Sequence, residues 1–367
     1  MPLSPAQRSA IEHVAAQAGA RRAEAVAQQD HIRRMCDISA DDLRDALLSI
    51  KQNARVALHF HPDRPDATGR TVAQALLRDG VYRSQFETGL SNGGLSAHPG
   101  GSRDRCEQSL FGRAYHASDT TNAERPKYGA LSLLHHADGP SPRFGSCYFV
   151  LAAAVGRRCT FTYLDSHEGA VERGTLEEFD DVFAAVLRSA FYHGIGLGES
   201  DLTVPGLVHR LRCDLSAPLC DLAHLPIARN LNHYVEAQVH GDVVLHQDVD
   251  ALVADPSFRE SETGRNLTDL CRRNDVALHW DPGFLLTSDK VLRDFRGPTM
   301  PSLAERIARA GTIDASPIGA AVTDLRANPG KWSDRGSPDD VLQELELLWH
   351  VLLKYGTQPA EELHQKK

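Results

Sequence analysis

The side chains best suited to chemistry begin with a pair of histidines in LHFHPDR, residues 58–64. His59 and His61 are two positions apart, so on a β-strand their imidazoles point to the same face. Imidazoles at a strand end can bind a divalent metal, or they can join the Arg64 guanidinium in hydrogen-bonding a phosphorylated ligand. A polar strand end whose histidines are satisfied by hydrogen bonds is the third interpretation. This short pattern leaves all three open.

A stretch rich in polar and aromatic residues follows, GVYRSQFETGLSNGG at residues 80–94. Its last four residues favour positive φ and cluster backbone N–H groups, which is typical of an anion-binding turn. A plain hairpin turn is the alternative, since Asn-Gly pairs also close hairpins. Because the stretch has little aliphatic content, we expect it to line a ligand site. The predicted contact residues are Tyr82, Phe86, Ser91, Asn92 and Gly93.

Two further segments, ERPKYGAL and PRFGSCYF, each place a basic residue just before a predicted strand. Arg125 and Arg143 carry the planar guanidinium that binds phosphate through two hydrogen bonds. Exposed basic residues at strand ends are the alternative. Tyr128 and Ser146 lie within the two predicted strands. We expect Ser146 to face the floor of the ligand site that the stretch 80–94 lines, near Arg143.

A carboxylate stands inside a third strand-like segment, YVEAQVHG at residues 234–241. Strand alternation puts Tyr234, Glu236 and Gln238 on one face. Burial of an ionised carboxylate costs free energy unless the group is paired or functional. Either this face is solvated, or Glu236 stabilises positive charge that develops in a transition state.

The elements that position these residues follow from periodicity and end signals. Helices are predicted over 5–29, from Ser39 to about 54, over 71–80 with Gly80 at the end, over 177–191 and over 338–355. Strands are predicted over 55–61, 128–134, 144–153, 159–164 and 276–280, and a hairpin joins 234–239 to 243–245.

These predicted strands and helices do not alternate regularly. Neither GxGxxG nor GxxxxGK[ST] occurs, which argues against a dinucleotide-binding α/β fold and a P-loop. The expected class is therefore α+β. We predict a helical N-terminal cap at residues 1–54, a catalytic core at 55–285 and a C-terminal helical extension at 286–367.

Composition narrows the classes of function. The chain has 367 residues, a net charge of −9 and a pI near 6.0, so a general nucleic-acid binder is not expected. The longest apolar run, residues 147–155, is about half of the roughly 20 residues that a membrane span needs. The N-terminus lacks the apolar core of a signal peptide, and the seven cysteines form no CxxC pair. A protein with reduced thiols and no membrane partner is expected.

From about residue 55 to 258 the chain resembles a bacterial family of unknown function. The matching strings are ALHFHPDR, GVYRSQFETGLSNGGL, ERPKYGAL, PRFGSCYFVL and YVEAQVHGDVVLHQDVDALVADPSF. The layout is also similar to divergent mono-ADP-ribosyltransferases, which have a split β-sandwich core. That resemblance implies NAD as co-substrate, no metal, and a protein acceptor such as a threonine of ubiquitin. It also implies a location in the bacterial cytoplasm, or export as an effector without a cleaved signal peptide.

The same resemblance implies a role for each candidate residue. His59 or His61 would hold the adenosine ribose, and Tyr82 or Phe86 would stack on nicotinamide. Glu236 would support the oxocarbenium-like state. Separately from the resemblance, we expect Ser146 to order the nicotinamide-side ribose by hydrogen bonding. The catalytic residues would thus be Glu236, His59 and Ser146. The NAD-binding residues would be His61, Arg64, Tyr82, Phe86, Ser91, Asn92, Gly93, Arg125, Tyr128 and Arg143, with the diphosphate ligand open among the three arginines.

The chain also departs from the transferase pattern. It has no His-Gly-Thr at the first strand and no Ser-Thr-Ser, and Tyr234 stands two residues before Glu236 in place of Glu or Gln. The last departure argues against guanidinium as the acceptor and leaves a hydroxyl open. Two alternatives remain. One is a metal-dependent hydrolase built on His59 and His61, and the other is a non-catalytic protein-interaction module.

Overall fold

The computed structural model describes residues 2–90, 94, 96–217 and 222–358. Its strands are β1 (Arg55–Phe60), β2 (Val81–Tyr82), β3 (Lys127–Ser132), β4 (Cys147–Leu151), β5 (Cys159–Tyr163), β6 (Arg173–Thr175), β7 (Val235–Val239), β8 (Val243–Val244), β9 (Val249–Ala254), β10 (Ala277–Trp280), β11 (Leu286–Thr287) and β12 (Thr312–Ile313). Eight of them form one sheet in the order β10-β9-β4-β1-β3-β7-β5-β6. Neighbours are antiparallel except β9 and β10, which are parallel.

The helices are α1 (Pro5–Met35), α2 (Ala40–Asn53), α3 (Val72–Asp79), α4 (Gln85–Thr88), α5 (Ser102–Leu110), α6 (Asp180–His193), α7 (Val204–Cys213), α8 (Leu245–Asp248), α9 (Glu262–Asn274), α10 (Met300–Ile307), α11 (Ala315–Ala327) and α12 (Pro338–Tyr355). Side-chain caps explain several starts. Ser39 begins α2 by accepting from the Asp42 N–H, and α3 ends at Gly80 in the left-handed conformation. Both ends agree with the prediction.

Strand alternation divides the sheet into an apolar and a partly polar face. Val56, Leu58 and Phe60 of β1 belong to the main hydrophobic cluster, which also includes side chains of α2, α6 and α12. The opposite face carries Ala57 and His59, beside Tyr148 of β4. The candidate polar residues of β3, β5 and β7 lie on this second face, because the register aligns Ala57, Ala130, Glu236 and Thr162 across neighbouring strands.

The α+β class is confirmed, and most predicted elements are present within a few residues of their expected bounds. The predicted hairpin is wrong. β7 pairs with β3 and β5, whereas β8 pairs with β2, so that Val81 lies opposite Val244. The hairpin prediction failed because strand partners are chosen by tertiary packing, which local alternation does not encode.

The sheet also contains β9, a strand that the sequence reading did not identify and that lies between β4 and β10. One hydrophobic cluster includes side chains from all three predicted segments, among them Ile32, Leu58 and Trp349. The division at 54 and 285 stays a prediction. In the part of the chain that the structure describes, no helix has the length and apolar character to cross a membrane.

Candidate functional site

A cavity of about 940 Å³ opens at the end of the sheet where β1 finishes and β3 begins. Four predicted site residues line it, namely His61, Arg64, Tyr82 and Tyr128. Residues at the end of β1 and in the first part of the stretch after Gly80 therefore share one cavity. Its volume lies within the range of small-molecule sites, about 300–1,000 Å³.

His61 follows β1 and is held against two other elements. Its Nδ1 lies 3.3 Å from Ser146 Oγ, and its ring meets the Trp349 ring of α12 edge to face at 5.3 Å. Burial lowers the pKa of His61 well below its ordinary value, and the nearby Arg64 guanidinium lowers it further. His61 is therefore a neutral imidazole that can accept or donate one hydrogen bond toward the cavity.

Arg64 is a buried cation that lines this cavity. Only 6% of the residue is exposed, yet neither Nη1 nor Nη2 has a hydrogen-bond partner among the described residues. Burial lowers the pKa of Arg64, while the neighbouring Asp63 and Glu346 carboxyl groups oppose that shift. A guanidinium stays charged in proteins. Its two free nitrogens can therefore bind an anion bidentately.

The other two candidate arginines are already paired. Arg125 contacts Asp104 at 2.8 Å and Glu107 at 2.7 Å, and its guanidinium lies over the Phe86 ring at 4.4 Å. These contacts make Phe86 and Arg125 part of a buried network, and neither residue lines the cavity. Of the three arginines considered for the diphosphate, Arg64 has the free donors.

Arg143 is likewise engaged away from the cavity. Its Nη2 lies 2.9 Å from Asp165, and its Nη1 donates to Asn232 Oδ1 at 3.0 Å. The guanidinium also lies beside the Phe144 and Tyr234 rings. Arg143 is thus partnered on several sides, and the hydroxyl of Ser146 lies against His61.

The aromatic side chains that line the cavity include Tyr82 of β2 and Tyr128 of β3, with Phe60 of β1 beside them. Tyr82 is half-buried, packs edge to face on Phe60 and Phe149, and its hydroxyl donates to the His59 carbonyl at 3.4 Å. The Tyr128 hydroxyl donates to Glu107 at 3.0 Å. Both rings lie on the cavity wall, where a planar ligand group could stack on either one.

Arg103 of α5 lies over the ring of Tyr128. Its guanidinium carbon lies 3.9 Å from the centre of the Tyr128 ring, and its Nε donates to Gln85 at 3.2 Å. The Nη1 atom of Arg103 is buried without a partner among the described residues. Arg103 also interacts electrostatically with Glu236, so this cation lies beside both the cavity wall and the buried carboxylate.

Glu236 is 3% exposed and does not line the cavity. Its Oε1 accepts a hydrogen bond from Gln238 Nε2 at 2.8 Å. Burial raises the pKa of Glu236 to about 7, and nearby Asp165 raises it further, while Arg103 opposes both effects. Tyr128, on the cavity wall, lies directly opposite Gln238 on the neighbouring strand, and Gln238 is the hydrogen-bond partner of Glu236.

His59 is enclosed by the loop before β4. Its Nε2 accepts from the Ser141 N–H at 3.3 Å, its Nδ1 lies 3.4 Å from the Gly145 carbonyl, and its ring stacks on Tyr148. A Cβ on Gly139, whose φ is 78°, would come within 2.7 Å of His59 Nε2. Burial lowers the pKa of His59 to about 3. The structure therefore separates His59 from the cavity that contains His61.

Three predicted contact residues, Ser91, Asn92 and Gly93, lie outside the described residues. Within the described ranges, no group of three or more His, Cys, Asp or Glu side chains is arranged to hold a metal ion.

The sequence did not point to several polar residues that surround the cavity and Glu236. Gln238 shared a predicted face with Glu236, and the alternation in CTFTY could have indicated Thr160 and Thr162 as their neighbours. Arg103 and Glu346 had no such signal. Both reach the site from helices whose docking depends on the whole fold.

Comparison with known families gives one result. Residues 55–355 match the model of the family described as protein of unknown function DUF3626, and because this match spans more than half of the chain, the protein belongs to that family. No curated protein gives a significant match. The predicted membership in a family of unknown function is thereby confirmed, while the relationship to ADP-ribosyltransferases stays a prediction.

Proposed function

We propose that the protein is an NAD-dependent mono-ADP-ribosyltransferase that modifies a protein acceptor. The observation that carries this proposal is Arg64, a residue that lines the 940 Å³ cavity and whose two terminal guanidinium nitrogens are buried without a partner in the described part of the chain. Leaving a buried charge without a partner is costly. A diphosphate would supply oxygen acceptors in the geometry that a guanidinium binds best.

The remaining cavity residues fit the other parts of a dinucleotide. Tyr82 and Tyr128 offer two aromatic faces for the nicotinamide or adenine ring, and the neutral His61 imidazole can hydrogen-bond a ribose hydroxyl. Of the three arginines left open for the diphosphate, this proposal selects Arg64, since Arg125 and Arg143 are already ion-paired.

Glu236 supplies the electrostatic part of the proposed reaction. The bond between ribose C1 and nicotinamide nitrogen breaks, and its electron pair leaves with neutral nicotinamide. The ionised carboxylate stabilises the positive charge that develops at C1. An acceptor hydroxyl oxygen then bonds to C1 and gives its proton to Glu236. A hydroxyl acceptor, with a ubiquitin threonine as the first one to test, matches Tyr234 in place of a second acid.

This mechanism requires that Glu236 reach the ribose. Because Glu236 is buried outside the cavity while Arg103 interacts with both Tyr128 and Glu236, the proposal includes displacement of the Arg103 guanidinium when NAD binds. The split β-sandwich expected for a transferase would have to arise from twisting of the one eight-stranded sheet.

The first test measures NAD binding by calorimetry and thermal denaturation. A ligand at 100 times its Kd stabilises the folded state by about 2.7 kcal/mol. We expect NAD to stabilise the wild type and Arg64→Gln to lose most of that shift. Arg272→Gln, on an exposed helix surface, is the matched control. No NAD shift in the wild type contradicts the proposal, and zinc or manganese binding in its place favours the metal-dependent hydrolase.

The second test measures release of nicotinamide and transfer to ubiquitin. Removal of one pre-organised electrostatic contact slows a reaction by about 10²–10³-fold. We expect Glu236→Gln to lose nicotinamide release by that factor and to keep NAD binding. A folded Glu236→Gln protein with full activity removes Glu236 from the catalytic role.

A further inference from the structure

A continuous chain of buried side chains leads away from Glu236 across the polar face of the sheet. Gln238 Nε2 lies 2.8 Å from Glu236 Oε1, and Thr160 Oγ1 lies 2.7 Å from Gln238 Oε1. His240 Nε2 is 3.1 Å from Thr160 Oγ1, and Tyr115 Oη is 2.5 Å from His240 Nδ1. All five residues are 3% exposed or less.

The direction of each hydrogen bond follows from the number of protons available. Thr160 has one hydroxyl proton, which it donates to the Gln238 carbonyl oxygen. Its oxygen must therefore accept from His240, so His240 carries its proton on Nε2. Nδ1 of that neutral ring is then an acceptor and takes the Tyr115 proton. Every donor along the chain points toward Glu236.

A branch of the network determines which way the Gln238 amide faces. Thr162 donates its hydroxyl proton to the Leu164 carbonyl at 3.1 Å, and its oxygen lies 3.4 Å from Gln238 Nε2. A reversed amide would place the Gln238 oxygen against the oxygens of both Thr162 and Glu236, with no proton left between Gln238 and Thr162. The observed orientation is the one that satisfies all three side chains.

We propose that Tyr115, His240, Thr160 and Gln238 are positioning residues that act together as a directional hydrogen-bond relay and hold Glu236 as an ionised acceptor. Its catalytic meaning rests on the proposed function. The relay itself is a property of the protein without NAD. Donors aligned in one direction stabilise negative charge at the end of the chain, and they compensate part of the cost of burying that carboxylate.

The charged groups around the relay agree with these assignments. Burial lowers the pKa of His240 to about 3, and Lys127 and Arg158 lower it further, so the ring is neutral at physiological pH. Around Glu236, burial and the charge of Asp165 oppose ionisation, while the Arg103 charge and the hydrogen bond from Gln238 favour it. Burial raises the pKa of the Tyr115 phenol well above its ordinary value; the Glu107 charge raises this pKa further, and the Arg125 charge lowers it.

Packing fixes the far end of the relay. Tyr115 follows α5 and packs with Phe111 against Ala10 and Val14 of α1. Its ring is parallel to that of His240, at an interplanar angle of 6°. The N-terminal helix thus helps to place the first donor of a chain that ends at Glu236 on β7.

The first measurement is the tautomer of His240 by long-range ¹H–¹⁵N NMR on protein labelled at histidine, assigned with His240→Asn. We expect a neutral ring protonated on Nε2. A ring protonated on Nδ1, or a charged ring at neutral pH, overturns the relay because the direction of the chain would be reversed or broken. This result does not depend on NAD, so it stands apart from the test of the proposed function.

The second measurement follows the Glu236 carboxyl carbon by ¹³C NMR, assigned with Glu236→Gln. Thr160→Val removes one hydroxyl without changing shape, so the pKa of Glu236 should rise by about half a unit or more. Thr160→Ser restores the hydroxyl and should return the pKa toward the wild-type value. Equal pKa values in Thr160→Val and the wild type overturn the proposal.

If Thr160→Val does not fold, a comparison of two tyrosine substitutions tests the relay in its place. Tyr115→Phe removes the first donor, and we expect it to change the His240 tautomer populations and raise the pKa of Glu236. Tyr163→Phe is the matched control, because Tyr163 belongs to the apolar face of β5. Identical spectra for His240 and Glu236 in both variants contradict the relay.

Discussion

At the scale of single residues, the distinctive feature is a carboxyl group that the fold buries at a cost. Burial raises the pKa of Glu236 from 4.5 to about 7, so the folded protein binds this proton more tightly than the unfolded chain. The contribution of Glu236 to stability therefore falls as pH rises from about 4.5 to about 7. One pKa unit corresponds to about 1.36 kcal/mol, so the full effect is roughly 3 kcal/mol.

The substitution Glu236→Gln tests whether the stability contribution of Glu236 falls as pH rises. Near pH 5 the variant and the wild type should unfold at similar temperatures, and above pH 7.5 the variant should be the more stable because it has no carboxylate to ionise. Thermal denaturation between pH 4.5 and 8.5 measures the difference. Glu260→Gln, at an exposed position, should show no such trend. A difference that does not vary with pH would show that Glu236 does not titrate in this range.

At the scale of elements, the turn after α3 directs the chain into the cavity. Gly80 ends α3 with a φ of 62°, its N–H donates to the Leu76 carbonyl, and the next two residues form β2 with Tyr82 on the cavity wall. This left-handed conformation disfavours any residue that has a Cβ. The position of Tyr82 thus depends on a glycine two residues before it.

Gly80→Ala should lower the free energy of unfolding by about 1 kcal/mol. The added Cβ would lie 3.4 Å from Asn274 Oδ1, an ordinary contact, so the cost comes from the backbone conformation. Urea denaturation measures the loss. The control is Gly330→Ala, where the backbone is outside the left-handed region and no atom lies within 4 Å. Equal losses of unfolding free energy in Gly80→Ala and Gly330→Ala would show that the left-handed backbone at Gly80 is not the cause.

At the scale of the whole molecule, one hydrophobic cluster joins the N-terminal helices, the sheet and the C-terminal helix. Ile32 of α1, Phe149 of β4 and Trp349 of α12 all belong to it. Trp349 also donates from Nε1 to the buried Pro142 carbonyl at 2.9 Å and packs against His61. Removal of either terminal segment would therefore expose apolar surface of this cluster, and removal of the C-terminal segment would also remove Trp349 from its contact with His61.

This connectivity predicts one cooperative unfolding transition for the full chain. Differential scanning calorimetry should show a single peak whose calorimetric and van't Hoff enthalpies agree. A chain that begins at residue 55 should lose stability or solubility. Two separate peaks, or an unchanged melting temperature after truncation, would instead support the predicted segments 1–54 and 286–367 as independent units.

The sequence by itself determined the local elements and part of the site. Strand alternation identified β1 and the shared face of Glu236 and Gln238, and the glycine signal located the end of α3. These features depend on neighbours a few residues apart, so periodicity and end residues are sufficient to predict them. His61 and Tyr82, which line one cavity, were assigned to one site by the resemblance to ADP-ribosyltransferases and not by this local reasoning.

Only the tertiary structure decided which candidate groups are free and which are paired. The three arginines look alike in the sequence, but Arg125 and Arg143 are held by carboxylates from other segments, while the terminal nitrogens of Arg64 are buried without a partner among the described residues. The pairing of β8 with β2 and the enclosure of His59 have the same origin. Each depends on contacts between residues far apart in the chain, where packing and desolvation outweigh local preference.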